Sequence, residues 1–142
     1  MKRVVLAVIL IFTLAHIAGA AEMVWKPTNQ ASIAWDAVTT FDDGSALPSG
    51  STVQYDTFTR GEKDPVTTYV RAATVTVPAV TLTFQIEGRY FVGVQAIRLV
   101  NGVVVPESNS TISWSDNADM VQGGIPFGIS YYKKLKAVGG LR

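Results

Sequence analysis

The fold is decided by residues 84–96, which read FQIEGRYFVGVQA. Tyr90, Val92, Val94 and Ala96 occupy every second position, and residues of mixed size fill the positions between them. Successive side chains of a β-strand point to opposite faces, so this period of two predicts a strand with one apolar face. Ala31, Ile33 and Trp35 repeat the pattern near the start of the chain.

Turn-forming residues separate the strands at short intervals. Residues 42–51 are rich in Asp, Gly, Ser and Pro, and Arg60 to Pro65 form a polar turn after the strand that contains Tyr55. Asn101-Gly102 is a strong signal for a two-residue hairpin. About seven strands and no convincing helix predict an antiparallel β-sandwich.

The first 20 residues have the three-part pattern of a secretory signal. Lys2 and Arg3 precede an apolar run, and Ala18-Gly-Ala20 supplies the small residues that signal peptidase reads. We expect a signal-peptide helix over residues 1–20 with cleavage after Ala20; cleavage after Ala21 and retention as an anchor are the alternatives. The chain is then secreted, periplasmic or at the cell surface of a bacterium, without a stable membrane span.

Removal of the signal changes the chemistry that the chain offers. The chain has no cysteine, and its one histidine is His16, so the exported part has neither residue. Loss of Lys2 and Arg3 leaves 10 basic against 11 acidic residues, a net charge of −1. This balance gives no electrostatic reason to expect nucleic acid as a partner.

Three stretches resemble a fibronectin type III domain of bacterial exported proteins. They are Ala31–Asp36 with its tryptophan, Val53-Gln-Tyr55, and Phe84–Ala96, where a large apolar residue stands six before a tyrosine. The resemblance covers residues 23–115 and implies a seven-stranded, all-β, immunoglobulin-like sandwich. It also implies that the Tyr90 hydroxyl bonds the preceding loop. Ile86 departs from the family, which often has proline there.

The same patterns indicate which residues form the core. The expected core residues are Ile33, Trp35, Tyr55, Phe84, Tyr90, Val92, Val94 and Ala96.

Candidate catalytic chemistry is sparse. Without histidine or cysteine, the nucleophile–base schemes that use them are absent, and we expect no enzyme, no catalytic residue and no cofactor. A small carboxylate-dependent hydrolase remains the least favoured alternative, with Asp36, Asp42 and Asp43 as its candidate site. The Asp42-Asp43-Gly44 loop leaves calcium binding open, although turn chemistry explains it equally well and we assign no metal ligand.

Residues 116–142 differ in composition from the expected domain. They carry four basic and two acidic residues, whereas residues 22–115 carry six basic and nine acidic. We expect a short basic C-terminal tail that either packs on the sandwich or docks on a partner.

The most favoured function is a non-catalytic binding or structural module that associates with an unknown protein or with itself. A carbohydrate-binding module that uses exposed aromatic rings is the alternative. The loops Thr39–Ser51 and Leu99–Glu107 are the expected contact surfaces of such a sandwich. The candidate contact residues are Phe41, Asn101, Gly102, Tyr131, Tyr132, Lys133, Lys134 and Lys136.

Overall fold

The computed structural model describes residues 22–140, and the expected signal-peptide helix lies outside these residues. The described chain forms nine strands and three short 3-10 turns. The strands are β1 (Val24–Lys26), β2 (Gln30–Ala34), β3 (Ser51–Gly61), β4 (Val70–Val75), β5 (Ala79–Thr83), β6 (Gly88–Val100), β7 (Val103–Val104), β8 (Ser113–Trp114) and β9 (Phe127–Tyr131). The expected all-β class is confirmed.

The strands form a seven-stranded and a two-stranded sheet. In the large sheet the order is β1-β9-β6-β3-β4, with β7 and β8 also paired to β6, and the small sheet contains β2 and β5. The long strands β3 and β6 pair antiparallel from Ser51–Val100 to Gly61–Tyr90. The expected count of seven strands is therefore too low.

Three short strands share one edge of β6, and the last of them, β9, lies in the expected tail and adds to the count. In chain order, β7 pairs with residues 99–100, β8 with residues 93–94 and β9 with residues 88–90 of β6. Residues 116–126 leave the sheet after β8, and the chain returns where Phe127 N donates to Ser115 O at 2.8 Å. We call residues 116–126 the insertion.

The large sheet continues past Ser115, the end of the expected domain, and its last strand ends at Tyr131. Ile129 of β9 has 0 % of its surface exposed and packs with Ala31 and Leu82 of the small sheet and Val92 of β6. Burial of apolar surface between the two sheets attaches β9 to the domain. Within the expected tail, residues 127–131 therefore belong to the large sheet, whereas the insertion and the residues after Tyr131 lie outside the sheets.

The expected core residues occupy this interior to different degrees. Tyr55, Phe84 and Val92 are buried, whereas the side chains of the remaining five are half-buried. The Tyr90 hydroxyl donates to Ile86 O at 2.8 Å, which confirms the expected bond to the preceding loop.

The predicted hairpin at Asn101-Gly102 is confirmed. Val100 pairs with Val103, and the two turn residues have φ of 50° and 81°. Asparagine and glycine tolerate this left-handed region, which a two-residue hairpin turn requires. No helix among residues 22–140 is long and apolar enough to cross a membrane.

Candidate functional site

Neither β2 nor β5 has a second partner strand among residues 22–140, so the small sheet has two unpaired edges, and that of β2 lies beside a cavity. Trp35 N donates to Pro78 O at 3.1 Å, and Phe84 N donates to Asn29 O at 2.7 Å. Hydrogen-bonded pairs alternate along an antiparallel ladder, so Ala31 and Ile33 also direct their backbone groups toward β5. The groups of the intervening residues, Gln30, Ser32 and Ala34, therefore point to the opposite side.

A side chain satisfies only the first part of this edge. The Thr28 hydroxyl donates to Gln30 O at 2.7 Å and accepts from Gln30 N at 3.1 Å. Beyond it, β2 has no second partner strand among residues 22–140, because β1 pairs with β9 instead. We call the backbone N–H and C=O groups of Ser32 and Ala34 the free edge.

A cavity of about 270 Å³ lies beside the free edge, between the two sheets. Its lining includes Ile33 of β2, Trp35 directly after that strand, Val92 of β6 and Met120 of the insertion. The Trp35 ring packs edge-on against Tyr55, with ring centroids 5.3 Å apart. Trp35 Nε1 is buried without a hydrogen-bond partner in the described part of the chain. We call this space the edge cavity.

Three acidic side chains follow β2 along the chain. Asp36 follows directly and lines the edge cavity, and Asp42 and Asp43 lie in the loop beyond it. The Ser45 hydroxyl and backbone N–H both bond Asp43 Oδ1, and these bonds lower the pKa of that carboxyl below its ordinary value. None of the three acids makes an ion pair within residues 22–140. We call residues 36–43 the acidic loop.

The three carboxylates of the acidic loop do not come together in the described structure. Among the described residues there is no cluster of three or more histidine, cysteine, aspartate or glutamate side chains. The Asp43 carboxylate is already occupied by Ser45.

A second cavity, of about 540 Å³, lies under the acidic loop and contains Phe41. The Arg98 guanidinium stacks over the Phe41 ring at 5.0 Å and donates to the hydroxyls of Ser51 and Ser108, both at 3.2 Å. Asn109 Oδ1 also lines the cavity and is buried without a partner in the described chain. We call this space the end cavity.

Asn101 and Gly102 lie at the same end of the sandwich as the end cavity. Asn101 N donates to Gly50 O at 3.1 Å, which ties the hairpin to the loop before β3. Both turn residues are exposed. The structure therefore brings together three of the expected contact residues, Phe41, Asn101 and Gly102, at one end.

The other five expected contact residues lie at the opposite end. Tyr131 pairs with Gly88 at the start of β6, whereas the hairpin follows Val100 at its end. At about 3.3 Å per residue, β6 separates the two groups by about 40 Å.

Tyr131 packs against the core, so its ring serves the fold. Tyr132, Lys133, Lys134 and Lys136 belong to the exposed residues 132–140, which we call the C-terminal segment.

The outer face of the large sheet holds a cluster that the sequence did not reveal. Arg60, expected in a turn, lies in β3 and is 6 % exposed. Its guanidinium stacks on the rings of Phe91 and Trp114, at 4.7 and 4.9 Å, and forms an ion pair with Asp116 of the insertion. Its burial depends on residues distant in sequence, and no local pattern signals it.

The tryptophans on this face are engaged by arginine. Trp114 stacks with Arg60, and Arg89 lies 4.8 Å from the Trp25 ring. Trp25 also packs against Phe91, with ring centroids 5.4 Å apart. These rings contribute to packing on this face.

Comparison with known proteins supplies no relative. Protein-family models, curated proteins and solved structures all return no match. The free edge, the two cavities and the acidic loop are therefore interpreted from their own chemistry.

Proposed function

We propose that this chain is an exported, non-catalytic module of the fibronectin type III kind that binds an extended segment of another protein along β2. The observation that carries the proposal is the free edge beside the edge cavity. Backbone N–H and C=O groups require hydrogen-bond partners, and an added strand supplies them in a regular array. Side chains at alternate positions of that strand would enter the cavity.

The residues around the free edge favour binding of a strand over an edge that is only exposed to solvent. Native proteins protect exposed strand edges with charged side chains, proline or a bulge. In β2 the residues at the edge are the small, uncharged Ser32 and Ala34, and both are exposed. The edge cavity beside them has apolar walls, which gives side chains of a bound strand a place to pack.

The composition supports a binding role rather than catalysis. Cysteine is absent from the chain and the one histidine is His16, within the expected signal. The lowered pKa of Asp43 keeps that carboxyl ionised, so it is a poor proton donor at neutral pH.

Carbohydrate binding at the end cavity is the second candidate. Phe41 supplies an aromatic ring, and the buried Asn109 Oδ1 lacks a donor in the described chain. Arg98 already covers one face of the Phe41 ring, which makes stacking on a sugar less favourable there. Retention on insoluble polysaccharides that is lost in Phe41→Ala would support this candidate over strand binding.

An immobilised library of ten-residue peptides tests the proposed function. The chain exported by an expression host should retain peptides with apolar residues at alternate positions. Ala34→Pro removes one N–H from the free edge and should abolish retention. Thr81→Pro is the matched control, because Thr81 pairs with Ser32 but directs its N–H away from β2. Retention of no peptide, or equal retention by Ala34→Pro, would contradict the proposal.

A further inference from the structure

We infer that the strand that binds β2 is the C-terminal segment of a second copy of this chain, so that copies assemble head to tail. The inference rests on the proposed function and names its partner. Three properties of the C-terminal segment support it: its residue pattern, its charge and the place where it leaves the sandwich.

The residue pattern suits a strand with one apolar side. Lys134, Leu135, Lys136 and Ala137 alternate between basic and apolar. In a strand along β2, Leu135 and Ala137 would point into the edge cavity and the two lysines would point away. Leu135 is 96 % exposed in the single chain, so it has no packing partner of its own.

The charges of the two surfaces are complementary. The C-terminal segment contains Lys133, Lys134 and Lys136 and no acidic residue. The acidic loop contains Asp36, Asp42 and Asp43 without ion pairs in the described chain, and Asp36 lines the edge cavity itself. A segment along β2 would bring its lysines beside Asp36, the carboxylate that follows the strand, and screening by salt would weaken that attraction.

The length of the C-terminal segment and the place where it leaves the sandwich determine what it can reach. The segment leaves the sandwich beside Gly88, where Lys133 N donates to Glu87 Oε1, and the acidic loop lies toward the other end. A fully extended nine-residue segment reaches about 30 Å, more than the roughly 17 Å of a five-residue strand. The first two lysines of the segment line a cavity with Thr28 and Asn29, which precede β2, so the segment starts beside the first residues of that strand. Pairing of the segment with β2 of another copy joins two different surfaces, and such a heterologous contact forms open chains unless a ring closes.

Sedimentation velocity of the exported full chain over a concentration series tests the inference. The average mass should rise continuously beyond that of a dimer. Leu135→Asp should require at least about tenfold higher concentration for the same average mass, because it places a charge in the edge cavity. Val66→Asp, at a side chain 58 % exposed in the β3–β4 connection, is the matched control and should associate like the wild type.

Exchange of the charges on the two surfaces gives a second measurement. Its result cannot be explained by misfolding, because a misfolded variant would not regain association when a second substitution is added. Asp36→Lys and Lys136→Glu should each weaken association, and the double variant should associate more strongly than either single variant. Raising the salt concentration should weaken the wild type more than the variants. Absence of this mutual rescue would overturn the pairing of the two surfaces.

The remaining outcomes separate the inference from the proposed function. A wild type that stays monomeric, a mass that stops at a dimer, or a Leu135→Asp variant that associates normally would each overturn head-to-tail assembly. If the peptide library still binds in an Ala34-dependent manner, β2 accepts strands and only the assigned partner is wrong. If no peptide is retained, the proposed function itself fails.

Discussion

Replacement of Ile129 by alanine tests whether β9 is part of the domain. Ile129 has no exposed surface and packs against residues of both sheets. Truncation of a buried isoleucine to alanine costs about 2–5 kcal/mol, through lost transfer free energy and the cavity that remains. Because Ile129 lies at the centre of the cluster, we expect about 4 kcal/mol.

The expected change in thermal stability follows from the size of the domain. The entropy of unfolding is about 2.1 cal/mol/K per residue, so a domain of about 110 residues has a total entropy of unfolding of about 0.23 kcal/mol/K. Loss of about 4 kcal/mol then lowers the Tm by about 17 °C. Circular dichroism or calorimetry on the exported chain measures this shift.

Leu135→Ala is the matched control for Ile129→Ala. Both residues belong to the expected tail, but Leu135 is 96 % exposed. Substitution at such a surface position changes stability by about 0.5 kcal/mol or less, which corresponds to about 2 °C in this domain. Equal, small shifts for the two variants would refute the conclusion that β9 is built into the sandwich.

Three further substitutions test individual contacts. Asp116→Ala should lower the free energy of unfolding by about 2–3 kcal/mol in urea, because it leaves the buried Arg60 without its carboxylate; an unchanged midpoint would show that the ion pair contributes nothing. Tyr55→Phe should cost about 1 kcal/mol by the same assay, since the phenol oxygen accepts a loop N–H at 2.9 Å, and no loss would mean that this bond is not formed. Ser45→Ala should raise the pKa of Asp43 toward its ordinary value in an NMR titration, because it removes the hydroxyl that makes the larger contribution and keeps only the backbone N–H bond; an unaltered pKa would exclude the hydroxyl as a cause.

The central strands could be predicted because their signals are local. The alternation after Gly88 identifies β6, and Asn101-Gly102 fixes the hairpin that follows it. The Tyr90–Ile86 hydrogen bond could be inferred because its partners lie four residues apart. In each case the period of two or the turn chemistry is contained in a short stretch of sequence.

The last strand could not be placed because its pairing is not local. Residues 127–131 are too few to show a clear period, and the glycines and proline of the insertion separate them from β8. Their position depends on contact with β6 and β1, some 40 and 100 residues away in the chain. The burial of Arg60 has the same origin, because Phe91 and Trp114 come from other strands.

The candidate site could be predicted only in part. Phe41 and the acidic residues were identified from composition and turn signals, as were the lysines of the C-terminal segment. The free edge depends instead on the pairing of β1 with β9, which leaves β2 with one neighbour. The sequence of β2 does not indicate that its edge is unpaired, because Ser32 and Ala34 alternate with apolar residues as they would in a strand with two neighbours.

Amide hydrogen exchange in β2 tests the central claim most directly. With the most tightly retained library peptide bound, the amides of Ser32 and Ala34 should change from fast to slow exchange. Those of Ala31 and Ile33, which face β5, should be protected with and without peptide. Peptide binding that leaves Ser32 and Ala34 in fast exchange, or protection of both amides without peptide at a concentration where the chain is monomeric, would contradict strand addition at the free edge.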